Sequence, residues 1–147
     1  MPKFSKKNSV DRIIDANLNR LKEGLRVIEE LSRFILENKK LNEEIKSLRH
    51  KVETVVSKGF DRARLLAQRN SPGDIGRLIA GNELKRANSA DIFFSNIQRI
   101  KESLRVLEEF SKLRKVSAAL EFKKLRYRVY EIEKQFFLKA KQLGKVK

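Results

Sequence analysis

Hydrophobic residues recur at intervals of three and four along most of the chain, and this spacing places them on one side of an α-helix. The first stripe of this kind contains Ile14, Leu18, Leu21, Leu25, Ile28 and Ile35. Ser9 is its predicted N-cap, because a serine hydroxyl can accept a hydrogen bond from a free amide of the first turn. We expect this helix to end at residues 38–40. No segment alternates polar and hydrophobic residues as a half-buried strand does, so the pattern predicts an all-α fold.

The same periodicity predicts three more helices. The second begins after Asn42 and continues to Gly59 or beyond. The third begins at Ser89, and the fourth runs from near Ser117 to near Leu143. Four helices of this length are enough for a bundle around one core.

Residues 68–76 interrupt the helical pattern with an internal proline and two glycines, which indicates a structured loop. Glycine tolerates a positive φ or a close backbone approach, and we expect both glycines to serve one of these purposes. Successive backbone N–H groups beside an arginine can bind a phosphate. The candidate binding residues of the loop are Arg69, Ser71, Gly73, Asp74 and Gly76. The alternative interpretation is a tight connector between two helical halves.

An internal repeat organises the rest of the chain. Residues 17–34 and 96–113 are identical at ten of eighteen positions at an offset of 79, and residues 44–52 match 121–129 at an offset of 77. The repeat predicts two helix–loop–helix hairpins that pair about a pseudo-twofold axis into a four-helix bundle. We expect a single domain over residues 1–147. Its parts are repeat one (about 10–60), a connecting loop (about 61–88) and repeat two (about 89–143).

Four polar residues occupy matching positions between two apolar flanks of their helices. They are Asn17, Arg20, Asn96 and Arg99. A guanidinium in such a place needs an anion, because burying it unpaired is costly. Either it forms an internal ion pair, with Glu23 in copy one and Glu102 in copy two, or it binds a phosphate or carboxylate of a ligand.

Other repeated polar residues lie on the side of the helices that we expect to face water. Arg26, Glu29 and Arg33 are on this side, where weak ion pairs of about 0.2–0.5 kcal/mol are typical. His50 aligns with Tyr127 in the second copy, which favours a packing or rim position over a catalytic one.

Composition narrows the classes of function. The chain has 147 residues and a formal net charge of +16, and Leu, Ile, Val and Phe make up 47 residues, enough for a folded core. Without cysteine and with one histidine, disulfides, zinc ribbons and thiol nucleophiles are excluded and a Ser-His-Asp triad is disfavoured. No apolar run suits a membrane span or signal peptide, so we expect a cytoplasmic protein without a membrane partner. The charge predicts an anionic partner.

Three segments together resemble a known family: RIIDANLNRLKEGLRVIEELSRF (12–34), RNSPGDIG (69–76) and the matching second copy over 96–130. They resemble the domain that some bacteria fuse ahead of a TIM-barrel thiamine-phosphate synthase, known as an alternative hydroxymethylpyrimidine-phosphate kinase. The resemblance covers residues 10–135. It implies ATP-dependent phosphorylation of 4-amino-5-hydroxymethyl-2-methylpyrimidine phosphate to the pyrophosphate, a substrate of the synthase. The chain has no barrel sequence, so we expect a stand-alone version that does not catalyse the synthase step.

The resemblance implies phosphate chemistry for the matching residues, with ATP as co-substrate and Mg²⁺ as cofactor. The expected phosphate or substrate contacts are Asn17, Arg20, Arg49, Arg69, Ser71, Gly73, Gly76, Asn96, Arg99 and Arg126. The expected residues for Mg²⁺ or proton handling are Asp74, Glu23 and Glu102. The asparagines would bind the aminopyrimidine edge or a phosphate oxygen. The two copies would form related anionic pockets, one for the nucleotide and one for the phosphorylated pyrimidine, and the metal ligands stay unassigned.

Two functions of other classes stay open at this point. A nucleic-acid-binding module would use the high charge, including a basic arm at residues 4–7, although no helix-turn-helix spacing or RNP-type aromatic sheet is present. The tail at residues 139–147 is expected to be a fraying, solvated end. A non-catalytic partner would bind a thiamine intermediate or dock onto a separate thiamine-phosphate synthase. The sequence also leaves a homodimer open.

Overall fold

The computed structural model describes residues 8–78 and 81–144, and every regular element within these ranges is helical. The elements are α1 (Ser9–Glu30), a π-helical turn (Leu31–Ile35), α2 (Lys39–Gly59), α3 (Arg62–Ala67), a 3₁₀ turn (Gly81–Leu84), α4 (Ser89–Ser111) and α5 (Val116–Gln142). The all-α prediction is confirmed. No helix in the described ranges combines the length and apolar character needed to cross a membrane. Residues 139–142 of the predicted tail belong to α5, whereas the basic arm at 4–7 lies outside the described residues.

The four long helices surround one hydrophobic cluster. α1 packs antiparallel against α4, α4 packs against α5, and α5 packs against α2. The predicted stripe supplies the α1 side of this cluster with five buried residues, and α4 supplies a matching set. The fully buried members on these two helices are Ile14, Leu21, Leu25, Ile28, Phe93, Ile97, Ile100, Leu104 and Leu107.

The prediction that Ile35 belongs to this buried stripe is wrong, because its side chain is 42% exposed. The cause is the π-helical turn, in which the amide of Leu36 donates to the carbonyl of Leu31 at 3.0 Å. This turn holds one more residue than an α-helical turn, so it rotates the following side chains relative to the 3.6-residue period. Leu31 and Leu36 therefore enter the core, and Phe34 and Ile35 turn outward.

Two predicted helix boundaries are wrong. Asn8, in the left-handed region at φ 66°, precedes α1, and Ser9 is the first helical residue instead of the N-cap. α2 begins at Lys39 and not after Asn42, because the side chain of Asn38 accepts from the amide of Leu41 at 2.9 Å and caps the helix there. The predicted starts of α4 and α5 agree with the structure to within one residue.

A short helix, α3, was not predicted. The carboxylate of Asp61 caps it by accepting from the amides of Ala63 and Arg64 at 3.0 and 3.3 Å. Six residues are too few for a hydrophobic period to appear in the sequence. Leu65 anchors α3 by burying its side chain in the common core.

Each hairpin contains a buried glutamate that pairs with an arginine of the next helix. Glu29 accepts from Arg49 Nε at 3.0 Å, and Glu108 accepts from Arg126 Nη2 at 3.0 Å. These glutamates are only 3% and 5% exposed, so the prediction that Glu29 faces water is wrong. The neighbouring helix α2 brings the guanidinium of Arg49 to this edge of α1, and the ion pair offsets the cost of burying the Glu29 carboxylate.

The two ion pairs occupy matching positions of the repeat, because Glu108 lies 79 residues after Glu29 and Arg126 lies 77 residues after Arg49. That the halves are a duplicated hairpin stays a prediction from the sequence. The structure adds that matching residues make the same contact in both halves, since Asn17 and Asn96 also donate to the carbonyls of Ile13 and Ile92, at 2.8 Å in each case.

The contact between α1 and α4 is close at Gly24, and this closeness gives a test of the packing. A Cβ at Gly24 would lie 2.7 Å from Cγ1 of Ile100, which is fully buried, so Ile100 or one of the two helices would have to shift. We expect Gly24→Val to reduce the free energy of unfolding by about 2 kcal/mol or more. Ser103→Ala, at the matching place on α4, should change it by less than about 0.5 kcal/mol. Urea denaturation measures both, and equal effects would contradict the account.

The Glu108 ion pair predicts an acid-sensitive contribution to stability. Burial alone would raise the pKa of Glu108, but the guanidiniums of Arg105 and Arg126 outweigh burial and hold this pKa below its ordinary value. The folded state therefore gains stability from the carboxylate above the unfolded pKa and loses that gain as pH falls through the folded pKa. Glu108→Gln should cost about 2 kcal/mol at pH 7 and progressively less below pH 4.

Chemical denaturation across this pH range measures the effect. Glu43→Gln, at an exposed position of α2, is the matched control and should follow the wild-type curve. A Glu108→Gln deficit that stays constant down to pH 2.5 would contradict a stabilising carboxylate.

Candidate functional site

A cleft between α1 and the segment formed by α3 and the following loop is the strongest candidate site. It consists of two adjoining depressions, of about 120 and 160 Å³, that share Asp15, Asn19 and Arg69. The remaining lining residues are Arg12, Ala16, Leu18, Lys22, Val56, Arg62, Leu65, Leu66, Asn70, Ser71 and Asp74. We call this the α1–α3 cleft.

A two-pronged ion pair crosses the α1–α3 cleft. Asp15, 8% exposed, accepts from Arg69 Nε at 2.8 Å and from Nη2 at 2.9 Å. This geometry fixes the plane of the guanidinium, and the Asp15 carboxylate raises the pKa of Arg69 above its ordinary value. Within the described residues, Nη1 of Arg69 has no hydrogen-bond partner, so a rigidly held donor is available to a ligand.

A second buried carboxylate holds α3 in place one turn earlier on α1. Asp11, 2% exposed, accepts from Arg64 Nε and from Arg114 Nε, both at 3.1 Å. One carboxylate thus joins α1 to α3 and to the connection between α4 and α5. Sequence reasoning missed these partners, because they are 53 and 103 residues away from Asp11.

The loop after α3 is ordered by its own side chains. Asn70 Oδ1 accepts from the amide of Gly73 at 3.0 Å, and Asp74 Oδ1 accepts from the amide of Gly76 at 2.9 Å. The sequence predicted that these two amides bind a phosphate, but in the structure both donate to side chains of the loop. Neither glycine has a positive φ. A Cβ at Gly73 would lie 2.5 Å from Asn70 Nδ2, so a larger residue there would displace the Asn70 side chain that accepts from the Gly73 amide.

Cations dominate the remaining wall of the α1–α3 cleft. Lys22 pairs with Glu53 at 2.9 Å, and Arg62 pairs with the same carboxylate. Burial alone would raise the pKa of Glu53, but Arg62 and Lys22 outweigh it and hold this pKa below its ordinary value. Arg12 is exposed and makes one long contact, 3.5 Å from Nη2 to the carbonyl of Asn70. Among the cations of the cleft, Arg12 would therefore give up the fewest protein contacts on binding a ligand.

The structure brings together only the loop members of the predicted site, namely Arg69, Ser71, Gly73, Asp74 and Gly76. Asn17 is buried on α1, and the amide groups of Asn17 and Asn96 are engaged with their own helices. Arg49 and Arg126 are engaged with the buried glutamates. None of these four lines the α1–α3 cleft.

Arg20 and Arg99 are exposed, so the expectation that they lie between apolar flanks is wrong. Gly24 lies against Ile100 of α4 at the helix crossing, while the side chains of Arg20 and Arg99 are exposed. Arg20 Nη1 lies 3.5 Å from Asn17 Oδ1. Glu102 accepts from Gln98 Nε2 at 3.1 Å, and the described residues contain no Arg20–Glu23 or Arg99–Glu102 ion pair.

The carboxylates do not form a preassembled metal site. Among the side chains that the structure describes, no group of three or more His, Cys, Asp or Glu residues is placed to hold a metal ion. In the α1–α3 cleft, Asp74 is an exposed carboxylate with one oxygen engaged by Gly76, and the hydroxyl of Ser71 and the amide of Asn19 line the same walls. The arrangement can bind phosphate oxygens and contribute one carboxylate to a metal that a phosphate ligand carries.

We expect the Asp15–Arg69 ion pair to hold the loop at residues 68–76 against α1. Asp15→Asn keeps the shape of the side chain but removes its charge, so residues 68–76 should exchange their amide hydrogens faster while the exchange of α2 stays unchanged. Hydrogen–deuterium exchange read by mass spectrometry measures both. Asp91→Asn, at the first turn of α4, is the matched control and should leave the loop as in wild type. Unchanged loop exchange in Asp15→Asn would contradict this role.

Comparisons with known proteins identify a family that the sequence matches. The model of the ThiD2 family matches residues 12–135. A protein of Synechocystis sp. named thiamine-phosphate synthase is 43% identical over 126 residues, which are 85% of this chain and 35% of that protein.

Two other proteins with the same name are similar. One from Nostoc punctiforme is 42% identical over 135 residues, 88% of this chain and 37% of that protein. One from Rhodopirellula baltica is 35% identical over 137 residues, 92% of this chain and 36% of that protein. The chain thus spans about a third of the length of these curated relatives. No solved structure matches it.

Proposed function

The chain belongs to the ThiD2 family, and from this membership we propose that it is a phosphotransferase of thiamine biosynthesis. The proposed reaction transfers the γ-phosphoryl group of ATP to 4-amino-5-hydroxymethyl-2-methylpyrimidine phosphate and gives the pyrophosphate and ADP. Support comes from the resemblance of the sequence motifs to the alternative kinase family and from relatives named thiamine-phosphate synthase.

The chemistry sets what a site for this reaction must provide. The nucleophile is a phosphate oxygen, which is mostly deprotonated at neutral pH because the second pKa of a phosphate monoester is about 6. An oxygen–phosphorus bond forms to the γ-phosphorus as its bond to the β-phosphate oxygen breaks, and ADP leaves. No general base is needed. The main requirement is positive charge that brings two anions together and stabilises the transferred group.

The α1–α3 cleft is the observation that carries the proposal. Arg69 presents a fixed donor because Asp15 holds its guanidinium, and Arg12 is exposed at the same wall. Lys22 and Arg62 lie at the adjoining depression. In this proposal Arg69 and Arg12 bind phosphate oxygens, and the two cations beside Glu53 bind the second anionic reactant.

The residues of the cleft fit a magnesium ion that arrives with ATP. Mg²⁺ prefers oxygen ligands, keeps several waters, and is typically held by one or two carboxylates together with substrate phosphates. Asp74 would supply the carboxylate, and Ser71 the neighbouring hydroxyl. When bound, the ion supplies charge neutralisation for the phosphate oxygens. Glu23 and Glu102 do not line the cleft, so Asp74 is the one of the three predicted carboxylates that we assign here.

A coupled ADP-release assay with ATP, Mg²⁺ and the pyrimidine phosphate tests the proposal. Arg12→Gln should reduce kcat/KM about a hundredfold, because a charged contact to the transferred group is lost while the fold keeps its ion pairs. Arg128→Gln on α5, also exposed, is the matched control and should keep wild-type activity. Absence of ADP release by the folded wild-type protein would overturn the proposal. Equal activities of both variants would show that the reaction does not use the α1–α3 cleft.

A further inference from the structure

The two depressions of the α1–α3 cleft differ in the chemistry of their walls. The larger one, of about 160 Å³, is lined by four apolar residues, Leu18, Val56, Leu65 and Leu66, and we call it the apolar depression. The first three are buried and Leu66 is 56% exposed, so Leu66 has the most apolar surface for a ligand to cover. The smaller one, of about 120 Å³, has Ala16 as its one apolar lining residue, and we call it the polar depression.

The corresponding residues of the second half show that this apolar wall is not a by-product of the repeat. Val56 corresponds to Glu133 at the offset of 77, and Lys22 corresponds to Lys101 at the offset of 79. Lys101 Nζ donates to Glu133 at 2.9 Å, so an ion pair occupies this place in the second half. In the first half Lys22 pairs with Glu53 instead, and Val56 presents apolar surface to the cleft.

Asn19 lines both depressions and has a free amide group. Its side chain is half-buried, and within the part of the chain that the structure describes it makes no hydrogen bond. The corresponding residue of the second half, Gln98, donates to Glu102 at 3.1 Å and is therefore engaged. Asn19 thus offers a carbonyl oxygen as acceptor and an amide nitrogen as donor to a ligand in the cleft.

We propose that the apolar depression binds the phosphorylated pyrimidine and the polar depression binds the phosphates of ATP, an assignment that rests on the proposed function. The pyrimidine ring packs against Leu66 and the apolar wall beside it. Its 4-amino group donates to Asn19 Oδ1, and its ring nitrogen N3 accepts from Nδ2, the donor and acceptor pattern by which asparagine pairs with adenine. Arg69 lines both depressions, so it lies where the two phosphates meet.

The charged residues of the two depressions favour this assignment over the reverse one. Mg²⁺ accompanies ATP and is typically held by one or two carboxylates together with substrate phosphates. The polar depression offers the exposed carboxylate of Asp74, whereas Asp15, the carboxylate that lines the apolar depression, is engaged by Arg69. A phosphate monoester needs no metal to bind, and Lys22 and Arg62 supply positive charge for it at the apolar depression.

Isothermal titration calorimetry tests the assignment without turnover, with the pyrimidine phosphate alone and with Mg²⁺ and a non-hydrolysable ATP analogue. Leu66→Ser and Asn19→Leu should each raise the dissociation constant of the pyrimidine phosphate about tenfold and change that of the nucleotide by less than about twofold. Asp74→Asn should do the reverse, because it keeps the acceptor for the Gly76 amide and loses the charge. Leu120→Ser on α5, where Leu120 is 57% exposed and lines neither depression, is the matched control for Leu66→Ser and should bind both ligands as the wild type does.

A pyrimidine phosphate that lacks the 4-amino group separates a direct contact of Asn19 from a general effect on the fold. The wild type should bind this analogue about tenfold more weakly than the complete ligand. Asn19→Leu should bind the two ligands with about equal affinity, because both changes remove the same contact. Circular dichroism and thermal melting verify that each variant folds.

The assignment would be overturned by wild-type affinity of Leu66→Ser or Asn19→Leu for the pyrimidine phosphate, by weakened nucleotide binding in either variant, or by additive effects of the two changes at the Asn19 contact. A wild type that binds both ligands in the expected pattern but releases no ADP would overturn the proposed reaction alone. ADP release together with the opposite binding pattern would overturn the assignment alone. A folded wild type that does not bind the pyrimidine phosphate would overturn both.

Discussion

The placement of α3 and its following loop depends on two buried carboxylates of α1. Asp15 fixes Arg69, and Asp11 binds two arginines that come from α3 and from the connection between α4 and α5. Without these charges, the attachments of α3 described above would be the buried Leu65 and the ion pair between Arg62 and Glu53. The same interactions that hold the fold at this point therefore also build the walls of the α1–α3 cleft and aim its cations.

The helices and the core could be predicted from the hydrophobic pattern because burial repeats with the helical period. The predictions failed where one local interaction overrode that period. The π-helical turn displaced Ile35, the Asn38 cap moved the start of α2, and the Asp61 cap made a helix too short to show a period. Glu29 was misplaced for another reason, because its burial depends on Arg49 of a different helix.

The candidate site could be predicted only where its residues are close together in the sequence. Arg69, Ser71 and Asp74 belong to one loop with a recognisable composition. Arg12, Asp15 and Asn19 reach that loop by folding, and the Asp15–Arg69 contact spans 54 residues. The repeat drew attention to Arg20 and Arg99, but both side chains are exposed and neither lines the α1–α3 cleft. The cleft instead uses residues that only the first half has, since Asp11 and Asp15 correspond to Ala90 and Phe94.

The proposed reaction moves a phosphoryl group from ATP to a phosphate oxygen of the pyrimidine phosphate. ³¹P nuclear magnetic resonance of the reaction mixture tests it most directly, because it identifies both products. We expect the monoester signal to be replaced by the two coupled signals of a pyrophosphate while ADP appears in equal amount. ADP together with inorganic phosphate and an unchanged monoester, or an unchanged spectrum, would contradict it.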